Sequence, residues 1–225
     1  MNIIGISGLA GSGKDAAADI LLQREGFIRV SLADPIKRFA QDVWGFSDRQ
    51  LWGASEFRNA PDLRYPIGDG EYLSPRKVLQ HVGTEGTRAI DHDVWIRYAI
   101  RTATRLLMAK PKELCYSSQN GIEGFTSCYP PENFKKPDDF PSKVKAVVIA
   151  DVRFINECTN IKQAGGLLLK IVRPGAGLQG NFAAHQSESE MSAISDSDFD
   201  CIIENNGTLD DLKVKVNEFA DTFCR

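Results

Sequence analysis

No C-x-x-C pair occurs in this 225-residue chain. Its five cysteines, Cys115, Cys128, Cys158, Cys201 and Cys224, are scattered and odd in number. That argues against a disulfide scaffold or a zinc site and fits a reduced, cytoplasmic protein. No apolar run approaches the roughly 20 residues that a membrane-spanning helix needs. No secretory leader is expected either, because the first apolar run leads straight into a glycine-rich turn. Excess charge of one sign is also missing: 27 Lys and Arg against 30 Asp and Glu leave a net charge of −3. With a pI near 5.7, the chain offers no basic surface for stable binding of duplex nucleic acid, although local basic residues can still bind a phosphate. Repeats and low-complexity tracts are absent as well. What is present is 42% apolar residues, enough for the full core of one α/β domain with an insertion.

The most informative stretch is Asn2-Ile3-Ile4-Gly5-Ile6-Ser7-Gly8-Leu9-Ala10-Gly11-Ser12-Gly13-Lys14-Asp15. An apolar strand runs into a glycine-rich turn, and Gly-Lys opens an amphipathic helix. That is the layout of a phosphate-binding P-loop, Gly8-x4-Gly13-Lys14. Gly8, Gly11 and Gly13 let the backbone curl so that several N–H groups face one anion. The helix contributes its positive N-terminal end and Lys14 a mobile full charge. Asp15 stands where most such loops place Ser or Thr to touch Mg²⁺. It could hold the metal through water, cap the helix or pair with Lys14, and a carboxylate beside a triphosphate calls for a cation between them.

Strands are predicted over 2–7, 27–32, 145–150, 167–172 and 200–204, all short and apolar. Helices are predicted over 14–24, 35–44, 75–90, 94–109, 154–164 and 209–223. This alternation predicts a parallel sheet with helices on both faces. Pro35 and Pro75 suit first-turn positions, with Asp34 and Ser74 as caps before them. The segment 45–73 is polar and aromatic with little periodicity, and carries Arg49, Arg58 and Arg64. The segment 111–142 reads as a surface loop, with room for a hairpin at 115–128.

Three further groups of residues point to chemistry. In Val147-Val148-Ile149-Ala150-Asp151-Val152-Arg153 an apolar strand ends in a carboxylate. Asp151 there could hold Mg²⁺ through water, bind a substrate group or an Arg, or only cap the next helix. Arg153 could stabilise charge on a transferring phosphoryl or lie on the helix surface. Lys37 and Arg38 could face an acceptor phosphate or be solvated. Within 75–90, Gly83 and Gly86 weaken the helical pattern. A break there would let backbone approach a ligand beside Gln80 and Thr84, or the glycines would serve only close helix packing. Trp95 could stack on a nucleobase or belong to the core, and Thr208 could cap the last helix.

These motifs in this order resemble the bacteriophage deoxynucleoside monophosphate kinases of the P-loop nucleotide kinase superfamily. The shared features are Ser7-Gly8, Ser12-Gly13-Lys14-Asp15, Ala18-Asp19, Pro35-Ile36-Lys37, Arg76 with Leu79-Gln80, and Gly83-Thr84. Trp95, Asp151-x-Arg153, Val172-Arg173-Pro174-Gly175, His185 with Glu188, and Asn206-Gly207-x-Leu209 complete the set. The likeness runs nearly end to end, and Lys14-Asp15 is its most specific mark.

The resemblance implies a five-stranded P-loop three-layer α/β fold with a helical acceptor-binding insertion at about 45–110, a core at 1–44 and 145–225, and a mobile lid near 151–165. It implies transfer of the γ-phosphoryl of ATP to a deoxynucleoside monophosphate, with Mg²⁺ held by Asp15 and Asp151 through water. Gly11, Gly13, Lys14, Asp15, Ala16 and Arg173 would bind ATP. Ile36, Lys37, Arg58, Arg64, Arg76, Gln80, Gly83, Thr84, Trp95 and Asp151 would bind the acceptor. Lys14, Asp15, Asp151 and Arg153 would carry the transfer. Ala10-Gly11 stands where a family member can carry Lys-Arg, and Ala16 replaces a Thr, so the base preference does not carry over. An acceptor phosphate oxygen is itself the nucleophile, so no Ser, Cys or His nucleophile is required. The partners would be small substrates in the host-cell cytoplasm, without a membrane, and a homodimer is left open. A P-loop kinase for dephospho-coenzyme A or phosphomevalonate, or a non-catalytic nucleotide-binding module, remains an alternative at this point.

Overall fold

The computed structural model describes residues 2–108, 115–119, 122–126, 143–177 and 194–224. The chain divides into two compact units. One comprises Met1–Ser31, Ile96–Tyr116 and Phe125–Arg225, and the other Leu32–Trp95 with Ser117–Gly124.

The first unit is built on a five-stranded sheet. Its strands are β1 (Ile3–Ser7), β2 (Phe27–Arg29), β7 (Ala146–Val152), β8 (Leu167–Val172) and β9 (Cys201–Glu204), in the order β2-β7-β1-β8-β9. Every neighbouring pair is parallel. All five residues of β1 are buried, as a central strand covered on both faces must be. This is the predicted α/β architecture, and the strand ends agree with the sequence expectation to within three residues.

Helices α1 (Lys14–Leu22), α8 (Ile155–Gln163) and α9 (Leu209–Phe223) flank the sheet. Ile4, Ile6, Ala17, Leu21, Val148, Leu169, Leu212 and Val216 share one core cluster. Fully burying an Ile or Leu side chain contributes about 1.5–3 kcal/mol, so this cluster fixes the sheet edge from which the site projects. Helix α8 packs by a close approach: a Cβ on Gly5 would lie 2.6 Å from Cδ1 of the fully buried Ile161. The span 151–165, expected to form a mobile lid, comprises the end of β7 and the packed helix α8. Lifting α8 would expose Ile161, Cys158 and Glu157, all buried. Thr208 does cap α9, in a capping box with Asp211.

The second unit contains α2 (Asp34–Trp44), α3 (Asp48–Trp52), α4 (Ser55–Asn59), the strand pair β3 (Pro66–Gly68) and β4 (Glu71–Tyr72), and α5 (Pro75–Gln80). A π-helical stretch His81–Thr87 and α6 (Arg88–Ile90) continue α5, and α7 (Val94–Met108) begins here. Its core is Ala40, Phe46, Leu51 and Val78, ringed by Trp44, Trp52, Tyr65, Leu73, Leu79 and Val82. Ser74 caps α5 as expected, whereas Asp34 lies inside the first turn of α2, whose cap position is Ala33.

Within the expected surface loop, β5 (Cys115–Gln119) and β6 (Ile122–Thr126) form a two-stranded sheet. The rest of 109–142 lies outside the described residues, as do His185 and Glu188. Among the described residues no helix is long and apolar enough to cross a membrane.

Candidate active site

In an open parallel sheet, ligands bind outside the carboxyl ends of the strands. Four segments of the first unit leave the sheet at that edge: the glycine loop after β1, Asp151 in β7, the turn after β8 and Asn205 after β9. Gly13 takes φ 96° at the cap position of α1 and supplies no side-chain capping bond. The first N–H groups of that nine-residue helix are thus left for an anion. Lys14, the first helical residue, is buried at 8% exposure. Its Nζ lies 3.6 Å from Asp151 Oδ1 and 3.7 Å from Asp15 Oδ2. The hydroxyls of Ser7 and Ser12, at the two ends of the loop, are buried with no hydrogen-bond partner among the described residues. Orphaned buried hydroxyls are rare enough to need a reason, and a bound polar group supplies one.

Asp151 is set by a β-bulge. Ile6 pairs with Ala150 but Ser7 pairs with Val152, so Asp151 is left without a partner in the ladder. It takes φ 72°, in the left-handed region. Such a conformation costs a non-glycine residue about 1–3 kcal/mol and clusters at functional positions. The bulge puts the carboxylate between Lys14 and Arg153, whose Nε donates to Oδ1 at 2.7 Å. Burial works against the charge on Asp151, but the Arg153 and Lys14 cations outweigh it and hold the carboxyl below the usual carboxylate range. The capping role that the sequence left open for Asp151 is not taken: α8 begins at Ile155, after Phe154.

Asp15 also lies between cations, with Arg29 Nη2 3.5 Å from its Oδ1. Arg29 reaches Asp19 at 3.9 Å as well. A lone Arg at the end of a short strand gives no sequence signal, and sequence reasoning passed over it. Glu157 was also missed. Its buried carboxylate accepts from the backbone N–H of Arg153 at 2.8 Å and of Phe154 at 3.2 Å, fixing the turn that carries Arg153. Here a signal existed, since an acid three residues after the cap is half of a capping box.

Gly11 is exposed and Ala16 half-buried at the loop. Arg173 is exposed and opens a turn whose Gly177 N–H donates to the carbonyl of Ala10 at 2.9 Å, which brings this turn to the tip of the glycine loop. The structure thus gathers Gly11, Gly13, Lys14, Asp15, Ala16, Asp151, Arg153 and the Arg173 turn at one edge.

The expected acceptor residues other than Asp151 all belong to the second unit. The glycines do not break the helix. Instead the backbone widens into a π-helix, a form frequent at functional sites. Gly83 is buried there, and a Cβ on it would meet Ile36 Cδ1 at 2.8 Å. Its carbonyl accepts the indole N–H of Trp95 at 2.8 Å. Trp95 is half-buried, so ring surface stays accessible, while Gln80 and Thr84 are exposed.

Lys37 Nζ sits 5.5 Å over the Trp52 ring, and Arg76 Nε donates to Asn59 Oδ1. Two arginines have structural duties. Arg58 donates to the carbonyls of Leu51 and Gly53 at 3.2 and 2.9 Å. Arg64 forms a bidentate pair with the buried Asp62, at 2.9 and 2.7 Å. The Arg64 hydrogen bonds, outweighing burial, hold the Asp62 carboxyl far below its ordinary range.

The chain is 33% identical over 228 residues to a protein of Acanthamoeba polyphaga mimivirus described as "Putative deoxynucleotide monophosphate kinase"; the match covers 98% of this chain and 97% of that protein. No protein-family model matches the chain. With a likeness of that extent, and with Lys14, Asp151 and Arg153 drawn together at the carboxyl edge of a parallel sheet, the chain belongs to the deoxynucleotide monophosphate kinase family of phosphotransferases.

Proposed function

We propose that the protein transfers the γ-phosphoryl of ATP to a deoxynucleoside monophosphate, giving a deoxynucleoside diphosphate and ADP. The observation that carries the reading is the buried Lys14 at an uncapped helix start, 3.6 Å from the strained Asp151 that Arg153 also holds. The glycine loop and Lys14 would take the β- and γ-phosphates. An oxygen of the acceptor phosphate attacks the γ-phosphorus, the bond to the β-phosphate oxygen breaks, and ADP leaves with that electron pair. Arg153, its guanidinium held by Asp151, would meet the charge spread over the phosphoryl oxygens. Such catalysis rests on positioning and charge.

Asp15 and Asp151 are the donors here that suit Mg²⁺, which takes one or two carboxylates and completes its shell with phosphate oxygens and water. Among the described residues no group of three or more His, Cys, Asp or Glu side chains forms a metal site on its own, so these two would hold the ion together with the phosphates. When bound, Mg²⁺ supplies charge neutralisation on the phosphate chain.

In the second unit, the Trp95 ring would offer a face to the acceptor base, its N–H being committed to the Gly83 carbonyl. Lys37 and Arg76 are the cations proposed for the acceptor phosphate. Arg58, now on the Leu51 and Gly53 carbonyls, and Arg64, now on Asp62, are proposed beside them. The test is an acceptor panel of dGMP, dTMP, dCMP and dAMP with their ribo forms, incubated with ATP and read as diphosphate formed. At least one deoxy acceptor should be used, and faster than its ribo form. Equal use of both forms would overturn the deoxynucleotide assignment.

A further inference from the structure

We infer that Asn205 is a positioning residue for the phosphate-binding loop, acting from the far end of β9. The inference rests on the nucleotide-kinase reading above.

Asn205 is buried at 6% exposure, and its backbone N–H is tied to the Val172 carbonyl at 2.7 Å. Its Nδ2 donates to the carbonyl of Ser12 at 2.8 Å. The two residues are 193 positions apart in the chain, so only the fold brings them together. The carboxamide stands where a side chain on Gly13 would have to go: a Cβ there would lie 2.4 Å from Nδ2. Gly13 is thus required twice, for φ 96° and for the space that Asn205 fills.

A trans peptide points its C=O and the following N–H in opposite directions. Holding the Ser12 carbonyl on Asn205 therefore turns the Gly13 N–H the other way. The same logic repeats two residues earlier, where the Ala10 carbonyl accepts from Gly177 and the Gly11 N–H is turned away. Neither the Gly11 nor the Gly13 N–H has a protein acceptor among the described residues. Two alternate carbonyls of the loop are held on the outside, so two alternate N–H groups are presented to an anion before it arrives. Preorganised donors of this kind bind phosphate without first reorganising.

The test measures binding of inorganic pyrophosphate and of ADP, together with steady-state KM values, in the wild type, Asn205→Ala and the nearly isosteric Asn205→Leu. Losing a hydrogen bond to a buried carbonyl should weaken pyrophosphate and ADP about tenfold. KM for ATP should rise to match, while KM for the acceptor stays within about twofold. A merely structural role would lower thermal stability and move both KM values together or neither. If the variants do not fold, the wild type still decides the question: the Gly13 amide resonance should shift on adding pyrophosphate. Unchanged pyrophosphate affinity in a folded variant, or an unmoved Gly13 amide in a wild type that binds pyrophosphate, would overturn the inference. A wild type that binds neither ADP nor pyrophosphate would overturn the kinase reading itself, and this inference with it.

Discussion

Asp151 concentrates the backbone strain and the charge of the candidate site in one residue. Its left-handed backbone stores strain that Asn tolerates about as well as Asp, so Asp151→Asn should fold normally. It removes the negative charge that Lys14 and Arg153 share. The expected outcome is a fall in kcat of about 10² or more with little change in melting temperature, read by steady-state kinetics and thermal unfolding. A variant with preserved kcat would reduce Asp151 to a bulge residue. The carboxyl is held below its ordinary value by Arg153 and Lys14, against burial. Arg153→Ala, which removes one of the two cations holding it, should move its titration upward. The residue types at Lys14, Asp151 and Arg153 were legible in the sequence because strand, turn and helix frame them. The bulge that aims Asp151 was not, since it arises where Ser7 pairs with Val152, on a strand far away in the chain.

At the scale of elements, the π-helix is the feature that periodicity could not show. Two glycines in a helical run announced an irregularity, but a break and a widened turn look alike in sequence. The packing of Ile36 on Gly83, and the Gly83 carbonyl on Trp95, decide for the widened turn. Gly83→Ala should push Ile36 aside, displace Trp95 and raise KM for the acceptor several-fold while sparing KM for ATP. Equal changes in both would mean that the segment only supports folding.

The short helices α3 and α4 were missed because each holds only five residues. Ser47 and Gln50 do form a readable capping box. The Asp62–Arg64 pair closes this region, and it sets an acid response. The Asp62 carboxyl is depressed in the folded state, so the unfolded chain takes up the proton first. The stabilisation is complete above the ordinary aspartate value near 4 and fades as pH falls below it. Asp62→Asn should lower the melting temperature at neutral pH and flatten its decline between about pH 4 and 2. An unchanged acid slope would assign the effect to other carboxylates.

Across the whole molecule, the α/β class and the five-stranded sheet followed from short apolar strands alternating with amphipathic helices. What the sequence could not reveal is the set of long-range ties that give the glycine loop its shape: Asn205 on Ser12, Gly177 on Ala10 and Arg29 on Asp15. Each joins segments with no local pattern in common. The central claim is that the cluster of Lys14, Asp151 and Arg153 transfers a phosphoryl group to a deoxynucleoside monophosphate. The most direct measurement is a single-turnover assay with ATP labelled at the γ-phosphoryl and the preferred deoxy acceptor, in the wild type, Lys14→Ala and Arg153→Ala. The wild type should move the label to the acceptor, and each variant, still folded, should be slower by about 10³ or more. Label transfer at the wild-type rate in folded Lys14→Ala, or none to any deoxynucleoside monophosphate in the wild type, would contradict the account.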